Sequence, residues 1–443
     1  MLTRPPLAAG LPLLGSALAL RADPLGFLLE QYLDLGPIFR VGALHRRFTV
    51  LAGPAANRFA AREGDRIMSG ARDWATFARE VEAEHFLAGV DGPLHSQLRK
   101  IIKKPYSRRT AQAQLPTLVE TTRRAVSARP AGRVVVVREF MQRLVAEQIG
   151  QITLGSGPGE VFDDFVVFMR NLLNAVLGQQ PLFTLRFPAY RRSHRRVMDL
   201  ARRLVAEHQA DKDPDREPDL VDYFLAAIEE NPGLISEGDL LIGVVGPYLA
   251  GIDTAAGTLS FMLYALLRDP ALLARLRDEV DQTFAAGPLS AARLRDMPVL
   301  YATAIETLRM YPVAPMVPRH ATCDFAFAGH RVEEGEALML ATGVAHFDPE
   351  IYAEPHRFDI ERCMHPRNEH RQPGAFAPYG FGAHTCAGAG MAEVQIMVTM
   401  AALLHFADIR LAESDYRLHT TYNPSPMPDD AFRVGFSLRR AEA

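Results

Sequence analysis

Residues 240–267 constrain this chain more than any other stretch. They read LLIGVVGPYLAGIDTAAGTLSFMLYALL, 28 positions with one charge, Asp253. At about 1.5 Å per residue a helix of that length is roughly 42 Å long. So apolar a run belongs either in a bilayer or along the middle of a large core. Gly243, Gly246, Pro247, Gly251, Asp253 and Thr254 interrupt its centre, and an unpaired carboxylate in hydrocarbon is costly. The pattern therefore predicts a buried central helix that crosses a whole domain.

The remaining chain is able to surround such a helix. Of 443 residues, 48% are hydrophobic and 23% charged, the balance of an ordinary globular protein. The formal net charge of −3 gives no electrostatic reason to expect nucleic acid or an anionic membrane as partner. Near the start, Pro5, Pro6 and Pro12 break a weakly apolar stretch. It is too interrupted for a signal peptide or a span and reads as a lead-in to the first helix. The three cysteines, Cys323, Cys363 and Cys386, are too few for a disulfide framework and suit a reducing cytoplasm. Only four of the 49 basic residues are lysines, a coding bias toward arginine.

Residues 36–52 alternate apolar and polar around a turn and predict a β-hairpin. A second strand zone is expected over 325–347, turning at Gly329 and Gly335. Helical periodicity covers 115–126, 160–177, 197–209 and 391–406. The charged, proline-containing segment 209–220 reads as an exposed connection. No repeat or composition shift appears, so one domain over 1–443 is expected, mainly α with a small β portion.

The most informative cysteine lies in FAPYGFGAHTCAGAG, residues 376–390. Cys386 stands just before an apolar helix, where free backbone N–H groups and the helix dipole favour thiolate. Gly380 and Gly382 let the loop turn tightly. Small residues after the cysteine admit a flat ligand close to the backbone, and His384 offers a hydrogen bond to an acidic edge.

YGFGAHTCAG (379–388) resembles the haem-binding loop of the cytochrome P450 superfamily, with Tyr379 where the family usually has Phe. The resemblance implies the cytochrome P450 fold, with haem b (iron protoporphyrin IX) between the long central helix and the helix that begins near Met391. It places Cys386 as the thiolate ligand and metal site, His384 on a propionate, and Gly380 and Gly388 in the cofactor loop. Three further motifs follow the family's order. Glu306 and Arg309 in ETLR share a helix face, and the resemblance adds Arg357 of PHRF to form a buried ionic cluster. AGIDTA (250–255) places Ala250 and Gly251 at the haem, and Asp253 and Thr254 as the proton-delivering pair. Thr254 is able to bond back to a helix carbonyl, and Pro247 adds to a local widening of the helix. His95 and Arg99 of HSQLR, one turn apart, and Arg319 of VPRH would reach the propionates.

The implied activity is monooxygenation: O2 is activated and a lipophilic small molecule, terpenoid, steroid or fatty-acid-like, is oxidised. An apolar pocket is expected from Val245, Tyr248 and Leu249 on the central helix, and from Val313, Ala314, Met316 and Val317 after ETLR. Trp74, Phe77, Phe86, Leu87 and Met427 complete it. Electrons are expected from a separate ferredoxin or flavodoxin with its reductase, docking on Lys100, Lys103, Lys104, Arg108 and Arg109. The rival readings are a peroxide-using or isomerising haem-thiolate enzyme, which often lacks the acid–threonine pair, a haem carrier or sensor without turnover, and a helical scaffold without haem.

Overall fold

The computed structural model describes residues 2–128, 132–177, 180–211, 213 and 215–439. Among its helices, in chain order, are α1 (Pro24–Leu35), α2 (Gly53–Ile67), α3 (Gly92–Lys103), α4 (Leu115–Ser127), α5 (Val137–Thr153) and α6 (Phe162–Val176). They continue with α7 (Pro188–Ala210), α8 (Leu220–Glu230), α9 (Glu237–Arg268), α10 (Pro298–Met310) and α11 (Ala389–Phe406). Packing divides the chain into two units. One comprises Met1–Thr76, Phe86–Leu98 and Leu308–Cys386, the other Phe77–His85, Arg99–Thr307 and Ala387–Ala443.

The first unit is built on a five-stranded sheet. Its strands are β1 (Ile38–Ala43), β2 (Arg46–Ala52), β3 (Met68–Ser69), β4 (Val317–Ala321) and β5 (Ala337–Ala341), in the order β1-β2-β5-β4-β3. β1 and β2 form the expected hairpin, with Ile38 opposite Leu51; β2 and β5 run parallel and the other pairs antiparallel. Side chains of a strand alternate between faces, and here both faces are apolar. Phe39, Val41, Val50 and Ala52 join Leu28 and Leu29 of α1 in one core cluster. Ile38 and Leu51 join Ala56, Ala60 and Ile67 of α2 in another. The second predicted strand zone divides into a small hairpin, Phe325–Phe327 with His330–Val332, and β5. Gly329 and Gly335 turn at φ +82° and +80°. Residues Thr342–Phe347 form a 3₁₀ turn rather than strand, buried beneath α1 and α2.

The second unit is helical around α9. Ser236 caps α9 and exchanges hydrogen bonds with Asp239 in a capping box, the usual N-terminal stop for an apolar helix. The helix runs without interruption for 32 residues through Pro247, so the widening expected near Asp253 is absent from it. Glycines let it pack closely. A Cβ at Gly251 would stand 2.6 Å from Ile149 Cδ1 of α5, and one at Gly243 would meet the Phe224 ring of α8 at 2.4 Å. α5 lies along α9, and α7 packs on both α6 and α9. α11 is buried on nearly every side, as its unbroken apolar sequence requires. A three-stranded sheet of Val134–Val136, Arg433–Leu438 and Ala407–Leu411 closes the unit; its members are far apart in sequence and none was read as strand. Between α7 and α8 the chain is exposed as expected; Lys212 and Pro214 of that connection lie outside the described residues. Both α9 and the stretch Gly382–Phe406 are apolar and long enough to span a membrane by length and composition. In each, 67% of the most apolar 18-residue window is buried inside the protein, as in a core helix.

Candidate active site

The cysteine loop ends the first unit. Gly380 and Gly382 both sit at φ +69°, a region closed to most side chains. The reversal brings the Cys386 N–H to the Tyr379 carbonyl at 2.8 Å. The Ala383 N–H donates to Asp65 Oδ2 of α2 at 2.9 Å, which ties the turn to the unit's core. Cys386 itself is exposed, whereas Cys363 is buried. Gly388, two residues further along the chain, is the N-cap of α11.

Beside this loop His384 Nε2 lies 2.9 Å from Asp91 Oδ1, and its ring lies 4.1 Å from that of buried His95. Asp91 also accepts from Ser69 Oγ at 2.5 Å. Burial pushes the Asp91 carboxyl up, but the hydrogen bonds from His384 and Ser69 outweigh it and hold the group below its usual range. Arg319 is mostly enclosed, and burial disfavours its charge despite the negative potential of Asp91, Asp73 and Asp65. Its guanidinium donates to the carbonyl of its own neighbour, Pro318, at 2.9 Å. A largely buried guanidinium without a carboxylate in direct contact favours an added anion. The donor set therefore fits haem: an accessible thiol, and basic groups for its acidic edge. Sequence reasoning found His95, His384 and Arg319 but missed Asp91 and Ser69, because an Asp ahead of a helix reads as an ordinary cap.

The ETLR residues are fully buried, Glu306 and Arg309 alike at 0% exposure. Arg309 donates to the carbonyls of His346 at 2.8 Å, Pro355 at 2.7 Å and Arg357 at 3.2 Å. Arg357 corrects an expectation. Its side chain is 67% exposed and pairs with Glu354, so only its backbone joins the buried cluster. The buried arginine of this segment is Arg362, 1% exposed, which pairs with Glu369 at 3.2 Å and donates to the Glu354 carbonyl. The motif spacing gave no sign of this exchange.

In the second unit α9 carries two contrasting neighbours. The Asp253 carboxylate accepts from Gln142 Nε2 of α5 at 2.6 Å. Burial pushes this carboxyl above its ordinary value, while the Gln142 hydrogen bond and the positive potential of Arg170 and Arg138 counter it. Thr254 Oγ1 donates back to Ala250 O at 2.8 Å, the local bond its residue type favours. Ala250 is exposed although Leu249 and Ile252 are buried, so α9 presents a bare strip at this turn. Gly251 belongs to the opposite role, packing against Ile149.

The expected pocket residues separate. Val245 and Tyr248 are sealed in the core at 0% and 1% exposure. The Tyr248 hydroxyl donates to Ser156 O, and its ring lies 4.6 Å from that of Phe165, so neither lines open space. Phe77, Leu249 and Met427 are also buried. Ala314 is exposed, and Val313, Met316, Val317, Trp74, Phe86 and Leu87 are partly so. Trp74 and Phe86 face one another at 5.6 Å.

Comparison with known proteins identifies the family and the fold. The family profile described as Cytochrome P450 matches residues 5–417. A putative cytochrome P450 120 of Synechocystis is 24% identical over 97% of this chain and 96% of its own length. An abscisic acid 8'-hydroxylase of Solanum lycopersicum is 24% identical over 96% of this chain and 89% of its own. Among solved structures, a retinoic acid-bound cyanobacterial CYP120A1 superposes with a TM-score of 0.85 at 24% identity, covering 99% of this chain and all of that one. The chain belongs to the cytochrome P450 family. It is a monooxygenase of that family with haem b as cofactor.

Proposed function

We propose that Cys386 Sγ ligates the haem iron and that His95, Arg99, His384 and Arg319 hold the propionates. Tyr379, Gly380 and Gly388 shape the loop around it, and residues 1–443 act as one catalytic domain. The observation that carries this reading is the accessible thiol of Cys386, set at the end of a loop whose backbone is already closed on Tyr379. When bound, thiolate-ligated haem supplies the activation of dioxygen. Asp253 brings protons to the turn of α9, and Thr254 presents its hydroxyl beside the bare strip at Ala250. The substrate is a lipophilic small molecule, terpenoid, steroid or fatty-acid-like. The retinoic acid of the structural neighbour and the abscisic acid in a relative's name support that class.

The protein works in the cytoplasm and takes electrons from a separate acidic ferredoxin or flavodoxin. Lys100, Lys103, Lys104, Arg108 and Arg109 are all exposed along one stretch of chain, which supports docking there. The test is absorbance of the reduced, carbon monoxide-treated protein. The wild type is expected to give the strongly red-shifted thiolate band. Cys386→His, with haem retained, is expected to give the band of nitrogen ligation; an unchanged band in that variant overturns the assignment.

A further inference from the structure

Asp253 is a part-buried acid held by a neutral partner. Its partner is a neutral amide, Gln142 of α5, itself 4% exposed. The charged groups that face it are Arg138 of α5 and Arg170 of α6. Neither forms an ion pair with it among the described residues. Arg138 is engaged with Asp430 at 2.6 Å, and the buried Arg170 Nε has no hydrogen-bond partner.

The choice of partner has chemical consequences. An arginine or lysine at 2.6 Å would favour the carboxylate over the acid and lock it. An amide N–H donates to a carboxylate oxygen and, more weakly, to the carbonyl oxygen of a carboxylic acid. Gln142 therefore fixes where the group points while favouring its charge less than an arginine would. The direction matters too. The hydrogen bond draws Asp253 toward α5, whereas Thr254 and Ala250 mark the exposed strip of α9. For a proton to move from Asp253 toward Thr254, the carboxyl must release Gln142 and turn about its own side-chain bonds, and a neutral hydrogen bond is more easily released than an ion pair.

We propose that Gln142 is the positioning residue of Asp253, a neutral latch that parks the carboxylate against α5 between proton transfers and loosens its hold once the acid is protonated. This rests on the reading of Asp253 as the proton donor. The step breaks one N–H···O bond and moves one proton from Asp253 to a solvent water that donates to Thr254 Oγ1, and bulk solvent returns a proton to the carboxylate; no electrons are exchanged.

The experiment uses the full-length haem-loaded protein and three variants, Gln142→Leu, Gln142→Arg and Gln142→Glu, with Asp253→Asn as control. Two signals are followed across pH. The first is the infrared carboxylic-acid band that disappears in Asp253→Asn. The second is product formed per reductant consumed, on any substrate that shifts the haem spin state. Gln142→Arg should move the band's titration downward by at least one pH unit and lower coupling to nearly that of Asp253→Asn. Gln142→Leu should move the titration upward. Gln142→Glu should recover coupling as pH falls and its own carboxyl becomes a donor, a rescue that a filler role does not predict. If Asp253→Asn keeps full coupling, the proton-donor reading itself fails. If Asp253→Asn is uncoupled while Gln142→Arg and Gln142→Leu both titrate and couple like wild type, the latch alone is overturned. Haem content and near-ultraviolet circular dichroism identify any variant that does not fold, and the other two then decide.

Discussion

Removing Arg309 and removing Arg357 should have very unequal consequences, although both belong to motifs that the family resemblance placed in one cluster. The Arg309 guanidinium has no solvent exposure and donates to three backbone carbonyls from His346, Pro355 and Arg357. It also lies over the rings of Tyr352 at 5.0 Å and Phe347 at 5.7 Å. Arg309→Met keeps much of the volume but leaves those carbonyls without their donor. A hydrogen bond to a charged group contributes about 1.5–3 kcal/mol. Three that share one guanidinium overlap, so the expected loss is about 3–5 kcal/mol, the range for breaking a buried ionic cluster. Against a total stability of about 5–15 kcal/mol, that is a large fraction. Arg357→Ala removes a side chain that is 67% exposed and pairs with exposed Glu354. Solvent screens such a pair, and the change should stay within about 0.5 kcal/mol. Guanidinium denaturation of both variants, followed by tryptophan fluorescence and haem absorbance, measures the difference. Equal losses from the two substitutions, or a loss under about 1 kcal/mol from Arg309→Met, would refute the reasoning.

Thr254→Ala should leave haem binding intact but uncouple the reaction, with reductant consumed, peroxide released and little product; unchanged coupling removes Thr254 from proton delivery. His346 is fully buried, and burial together with the nearby Arg309 charge holds its ring at a pKa of about 3. In the unfolded chain the ring takes up a proton below about pH 6.5, so between those values the unfolded state binds the extra proton and stability falls as pH drops. At pH 5 the loss is about 2 kcal/mol, and His346→Gln should flatten that part of the stability–pH curve. Reversing charge at Lys103 and Lys104 should slow reduction by an acidic ferredoxin and weaken its salt dependence, as stopped-flow measurement will reveal; equal rates would dismiss the docking patch.

What the sequence disclosed, and what it did not, follows from the range of each interaction. The long helix needed only hydropathy, and its observed start at Glu237 adds a capping box that local sequence also encodes. The hairpin and the glycine turns around Cys386 are likewise local. The partners that define the site are not. Gln142 and Asp253 are 111 positions apart, and Asp91 and His384 are 293 apart, so no periodicity links them. The sheet of Val134–Val136, Ala407–Leu411 and Arg433–Leu438 escaped for the same reason. Arg357 was misplaced because a motif fixes residue order, not which way a side chain leaves the backbone. Tyr248 was misplaced because an aromatic ring on a central helix packs equally well against a neighbouring helix.

Ala250 is exposed on the longest of the described helices, while Leu249 beside it is buried. Gly243 and Gly251 have no such latitude, because a Cβ at either would run into Phe224 or Ile149. Change along this helix that spares the packing of its neighbours is therefore confined to the side that Ala250 marks.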